Sequence, residues 1–204
     1  MNAGGRFITL EGVDGAGKST HLQFVADAAA AASGRRAIVT REPGGTDLAE
    51  RLRQAILEEP LEPLAETLLI FAARAHHVRK VIRPALEAGT WVICDRFHDA
   101  TFAYQGAGKG VPVELIERLS EAAHPGLTPD RTLVFDCAYD VARQRLASSG
   151  KKLDRFERED QGFFERVRAA YLARARAEPG RIRVIDAAAD MTAIRKRLEE
   201  ALAF

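Results

Sequence analysis

The run Gly12-Val13-Asp14-Gly15-Ala16-Gly17-Lys18-Ser19-Thr20 fits the pattern G-x-x-x-x-G-K-[ST], after a strand-like segment and before a helix-like one. Glycines let successive backbone N–H groups turn inward, and the following helix brings the positive end of its dipole to the same point. Such a loop binds a polyphosphate. Lys18 is placed to reach the β and γ phosphates as a flexible point charge, and the Ser19 hydroxyl to hold Mg2+. Asp95 ends a later strand, where a carboxylate can orient Mg2+ and its waters; capping a turn is the other use of an aspartate there.

A phosphate loop does not distinguish a kinase from a switch GTPase or a motor, so the acceptor side must decide. Guanine-specific switches carry Asn or Thr before Lys-x-Asp at a strand end. The nearest string here, Lys151-Lys152-Leu153-Asp154, has lysine at that place and lies in a polar segment. Several arginines, by contrast, fall where they converge on the carboxyl ends of strands, the ligand side of an open α/β sheet.

The elements that must position these groups follow from hydrophobic period. Short β-branched runs alternate with longer helical patterns, which predicts parallel strands joined by helical crossovers. Strands are expected at 7–11, 37–41, 91–95, 132–136 and 182–186. One helix should run from Lys18 to a left-handed stop at Gly34, a second over 48–57 before Pro60 and Pro63, and a long third over 64–88 ending at Gly89. The segment 148–160, polar and of mixed charge, reads as a mobile flap. The expectation is a single P-loop α/β domain over 1–204, with a five-stranded parallel sheet, flanking helices and a short lid.

Composition narrows the partners. With 204 residues, 47% hydrophobic, and a formal net charge of +1, the chain has no global field to draw in nucleic acid or an acidic membrane. Phosphate affinity must be local. The two cysteines, Cys94 and Cys137, sit in strand-like runs and make no disulfide framework, which points to a reducing cytoplasm. No apolar run approaches the roughly 18 residues of a membrane span.

Four strings carry a family resemblance: Phe7-Ile8-Thr9-Leu10-Glu11-Gly12 entering the loop; Thr40-Arg41-Glu42-Pro43-Gly44-Gly45-Thr46; Asp95-Arg96-Phe97 followed by Ala103-Tyr104-Gln105-Gly106; and Leu153-Asp154-Arg155-Phe156-Glu157. In this order the chain resembles a bacterial thymidylate kinase over nearly its whole length. The resemblance implies ATP and dTMP as substrates, Mg2+ as cofactor and a homodimer. It assigns Arg53 and Arg96 to the acceptor phosphate, where a planar guanidinium fork suits phosphate oxygens; surface ion pairing is the other reading of Arg53. It brings Asp14 to the acceptor 3′-hydroxyl, and Glu42 with Pro43 to the site between donor and acceptor. Asp14 could instead cap the loop.

For the base, the resemblance implies Arg74 on a ring carbonyl, Thr101 and Gln105 on the N3–H edge, and Tyr104 against the sugar. A stacking aromatic is expected four residues before the arginine, but Ile70 stands there and Phe71 is one residue nearer. Phe71 is taken as the stacking residue, although spacing fits a core phenylalanine equally well. Gly15 in the loop goes with a catalytic arginine in the lid, matched by Arg155; Lys151, Lys152 and Arg158 share its segment, and a solvated charged face is their other reading. Arg143 is named as a neighbour of adenine.

An acceptor phosphate has a second pKa of about 6, so near neutrality its oxygen needs no general base. Catalysis is then positioning and charge neutralisation over Lys18, Mg2+, Arg96 and a lid arginine, with Asp95 in support. Two other readings stay open: a kinase of the same fold for another deoxynucleoside monophosphate, and a nucleotide-dependent switch.

Overall fold

The computed structural model describes residues 4–150 and 153–203, so Lys151 and Lys152 lie outside the described residues. Its five strands, β1 (Phe7–Gly12), β2 (Ile38–Arg41), β3 (Val92–Asp95), β4 (Arg131–Asp136) and β5 (Ile182–Asp186), form one parallel sheet in the order β2-β3-β1-β4-β5. β1 lies at the centre and is buried along its whole length, as an apolar strand covered on both faces must be. The sheet edges differ from the all-apolar expectation: Ile38 and Val39 on β2, and Val184 on β5, are exposed. An edge strand has neighbours on one side only, so its apolar residues are covered less completely.

The helices flank this sheet. α1 (Lys18–Ser33) starts at the phosphate loop and is closed by Gly34, whose φ of 68° allows its N–H to reach the Ala30 carbonyl. α2 (Asp47–Glu58) is capped by the Thr46 hydroxyl, 3.2 Å from the Ala49 amide. The long third helix is α3 (Pro63–His77), which passes through a π-helical turn, Val78–Ile82, into α4 (Arg83–Glu87). Pro84 has no N–H to give to a regular helix, which accounts for the widened turn just before it. Short α5 (His98–Thr101) runs into a second π-helical stretch, Phe102–Gly108, and α6 (Val113–Ala123), α7 (Tyr139–Ser148), α8 (Gln161–Ala177) and α9 (Met191–Leu202) complete the set.

The main core joins Leu10, Ile93, Leu133 and Phe135 of the sheet to Val25 of α1, Tyr171 of α8 and Leu198 of α9. The strand ends Gly12, Arg41 and Asp95 therefore leave the sheet on one edge, where the ligand groups gather. The segment expected as a loose flap is packed where it is described. Arg143 donates to the Glu157 carbonyl at 2.7 Å, and the Phe156 ring stands edge-on to Tyr104 at 5.8 Å. Cys94 and Cys137 are buried free thiols, and among the described residues no helix is long and apolar enough to cross a membrane.

Candidate active site

Gly15 to Thr20 line a cavity of about 680 Å³ that also reaches Asp95, Arg145 and the first turn of α9. Close packing shapes the loop: a side chain on Gly15 would run into the backbone of Ala142 on α7, and its φ of 82° suits glycine alone. Lys18 is buried, with its ammonium 3.0 Å from the Gly12 carbonyl and 3.1 Å from that of Val13. Burial, helped by Arg96, holds its pKa below the usual lysine value. A phosphate would replace two neutral acceptors with an anionic one.

A second, smaller cavity of about 90 Å³ lies alongside, between α2, α3 and the π-helical stretch. The two share Asp14, Glu42, Arg53, Arg96 and Asp154 as lining. Two guanidiniums, Arg53 and Arg96, thus stand between the larger cavity at the phosphate loop and the smaller one beside it.

Arg96 is the one non-glycine residue with positive φ, 70°, among the described residues. Such a backbone is costly for a bulky side chain and must be held by its surroundings. Its N–H donates to the Leu10 carbonyl at 2.9 Å, and its own carbonyl accepts from the Cys94 thiol at 3.0 Å. The side chain is fixed as firmly: Nη2 lies 2.7 Å from Asp14 and 2.9 Å from the Tyr104 hydroxyl, while Nη1 reaches Tyr171 at 3.2 Å. Burial alone would raise the Asp14 carboxyl, but Arg96 and Lys18 beside it bring it below its ordinary value. Asp14 does not act as a loop cap here; both its oxygens are taken by Arg96 and Tyr104. Arg53 donates to the Pro43 carbonyl at 3.0 Å, which holds it at the cavity wall and not in a surface ion pair.

At the base end, Arg74 is 2% exposed and pinned by three partners. Nε meets Glu42 at 2.6 Å, and Nη2 meets the Phe97 carbonyl at 3.1 Å and the Thr101 hydroxyl at 3.0 Å. Its Nη1 is buried with no protein partner, and Arg74 lines the nucleoside cavity, so one donor is left for a ligand acceptor. Glu42 also takes His77 Nδ1 at 2.9 Å, which makes that nitrogen the protonated one and leaves Nε2 to accept from Thr40 at 2.7 Å. Thr101, Tyr104 and Gln105 all line the same cavity.

Four side chains lie elsewhere than the sequence reading placed them. Phe71 does not face the nucleoside cavity; it packs with Val111 and Ile116, and its ring centre lies 5.0 Å from the Arg74 guanidinium. Ile70, on the adjoining helical face, lines the cavity in its place. Arg143 points to the lid backbone, while Arg145, two residues on, donates to the Ala16 and Ala187 carbonyls and lines the phosphate cavity. Arg155 does not line the cavity at the phosphate loop: it pairs with the fully buried Glu66 carboxylate, which requires countercharge, and with the Ile56 carbonyl. Arg158 folds back on the Leu153 carbonyl. Arg145 was legible in principle, since Ala142, Arg145 and Leu146 share one face of α7 and Ala142 covers the loop.

The residues present fit Mg2+. Asp95 keeps a buried Oδ1 with no protein partner, and it lines the phosphate cavity together with Ser19. An acceptor-only carboxylate oxygen left unpaired beside a hydroxyl is a hard-oxygen donor set that suits this ion.

The family model described as thymidylate kinase matches residues 10–198. The thymidylate kinase of Bordetella petrii is 54% identical over 202 residues, covering 99% of this chain and 97% of that one. That of Ralstonia nicotianae is 55% identical over 202 residues, covering 98% of each. Among solved structures, the thymidylate kinase from Ehrlichia chaffeensis superposes with a TM-score of 0.79 at 33% identity, covering 98% of this chain and 99% of that chain.

Proposed function

The chain belongs to the thymidylate kinase family, and from this we propose how its own residues carry the reaction. The protein is a dTMP kinase that transfers a phosphoryl group from ATP to dTMP. The observation that carries our assignment is the shared lining of the two cavities, with Arg53 and Arg96 between the donor and acceptor spaces. ATP would occupy the Gly15–Thr20 side, with Lys18 on its β and γ phosphates and Arg145 flanking the nucleoside end. dTMP would occupy the smaller cavity, its phosphate held by Arg53 and Arg96 and its base by Arg74, Thr101 and Gln105.

The acceptor oxygen attacks without a general base, since dTMP is largely a dianion near neutral pH. Arg96 contributes by being in place beforehand: its strained backbone and three side-chain hydrogen bonds fix the guanidinium before substrate arrives, so little reorganisation is needed. Asp14 and Tyr104 meet the acceptor sugar. Ser19 and Asp95 would hold Mg2+, which would offset the negative charge of the triphosphate. Glu42, in the lining shared by the two cavities, keeps Arg74 oriented.

A coupled assay of ATP consumption with dTMP, dUMP, dCMP, dGMP and AMP tests this. dTMP should be preferred, and dUMP should be used roughly 10- to 200-fold less well, the value of one methyl. A better rate with any other acceptor would overturn the assignment of the base cavity. A homodimer is also proposed, supported by exposed Leu64 and Leu68, one turn apart on α3; a monomer on sedimentation would remove it. A reducing, cytoplasmic setting is supported by the two free buried thiols.

A further inference from the structure

Glu66 is fully buried on α3, yet it carries a charge that no step of the transfer uses. Its two oxygens are divided. Oε2 takes Lys109 at 2.8 Å together with Arg155, and Oε1 takes the Gln105 amide nitrogen at 2.7 Å. The division has a chemical consequence for Gln105. A glutamine amide presents a carbonyl oxygen or an NH2 group with nearly the same shape, and its last torsion alone chooses between them. A carboxylate can only accept, so it draws the NH2 end and leaves the carbonyl oxygen free. Gln105 lines the nucleoside cavity, and among the described residues that oxygen takes no protein donor.

We infer that Glu66 is a positioning residue for base selection: by holding the Gln105 nitrogen it turns the Gln105 carbonyl oxygen toward the base as a fixed acceptor. The cavity then offers a donor at Arg74 Nη1 and an acceptor at Gln105. Thymine and uracil carry a carbonyl beside an N–H and match this pair, whereas cytosine carries an amino group beside an unprotonated nitrogen and opposes both. The inference rests on the dTMP reading above. Lys109 and Arg155 act one step further out, keeping Oε2 occupied so that Oε1 remains for Gln105.

The test compares wild type with Glu66→Gln, with the charge-balanced double variant Glu66→Gln/Lys109→Met, and with Lys109→Met alone. Dissociation constants for dTMP, dUMP and dCMP are measured by titration calorimetry, and turnover at saturating dTMP by the coupled assay. Either Glu66 variant should weaken dTMP and dUMP together by about tenfold or more while dCMP holds or tightens, with turnover within about threefold. Lys109→Met alone should leave the dTMP-to-dCMP ratio in place. An equal loss for all three nucleotides, or the same ratio change from Lys109→Met alone, would mean that Glu66 only supports the fold, and the inference fails. One further measurement on wild type is free of folding effects: the Gln105 side-chain amide protons should exchange slowly with solvent before and after dTMP is added, and fast exchange overturns the assignment. Failure of the dTMP reading shows separately, as wild type that does not turn over dTMP or binds dCMP equally well.

Discussion

Glu42→Gln removes one charge from a pair that is almost entirely out of water, Glu42 and Arg74 each being 2% exposed. The side chains meet at 2.6 Å, and Glu42 accepts a second bond from His77 at 2.9 Å. The neutral glutamine can keep its carbonyl oxygen on Arg74 only by turning its NH2 to His77, which must then change tautomer, and in either arrangement the charge opposite the guanidinium is lost. The guanidinium is left buried, with the Phe97 carbonyl, the Thr101 hydroxyl and two aromatic rings about it, at 5.0 and 5.1 Å. Breaking a buried pair from one side costs roughly 3 to 5 kcal/mol. For a chain of this size that lowers Tm by roughly 6 to 20 °C. Burial would raise the Glu42 carboxyl, but Arg74 and His77 outweigh it, so its folded pKa lies below the ordinary value of 4.5. A depressed carboxylate stabilises the fold above its unfolded pKa and loses that stabilisation as pH falls through the folded value. The gap between wild type and variant in urea unfolding should therefore be full at pH 7 and shrink below about pH 4.5. A gap under about 1 kcal/mol at pH 7 would show that the pair contributes no more than an exposed one, and the argument from burial would fail.

Glu11 behaves in the opposite sense: burial first, then Asp99, push its carboxyl up to about 7. Its stabilisation is complete below pH about 4.5 and is lost as pH rises through about 7, so Glu11→Gln should gain on wild type over that window by roughly 3 kcal/mol in urea unfolding; a pH-independent difference refutes it. Asp95→Asn should raise the Mg2+ concentration for half-maximal turnover by roughly 10- to 100-fold, measured by Mg2+ titration at fixed ATP, and an unchanged midpoint would remove Asp95 from the metal site. Arg145→Met should raise KM for ATP by about tenfold while KM for dTMP stays within about twofold, since the lost charge flanks only the phosphate cavity; equal changes in both would assign Arg145 to the fold instead.

Where sequence reading succeeded and failed has a common physical cause. The central strand was legible because a strand covered on both faces must be apolar along its length, and the edge strand at 182–186 was bounded as found even though Val184 is exposed there. The phosphate loop was legible because its function is local, set by backbone within nine residues. Helical phase was harder. Ile70 and Phe71 are neighbours, as are Arg143 and Arg145 two residues apart, and only the packing of α3 and α7 decides which of each pair faces a ligand. Glu66 was illegible altogether. Its partners Gln105, Lys109 and Arg155 lie 39, 43 and 89 residues away, and nothing in their local patterns says that one carboxylate gathers them.

Arg96 combines both cases. The string Asp95-Arg96-Phe97 announced an arginine at a strand end, but not that its backbone adopts φ 70°. That conformation follows from where β3 must stop: Asp95 still pairs with Leu10 in register, and the next N–H must turn to reach the Leu10 carbonyl while the Phe97 N–H reaches Glu11 at 2.7 Å. A glycine at position 96 would relieve the strain and lose the guanidinium. The cost of a left-handed arginine, on the order of 1 to 3 kcal/mol, is borne because the same turn aims its side chain between Asp14, Tyr104 and Tyr171, where, on the proposed function, an acceptor phosphate would meet a charge already in position.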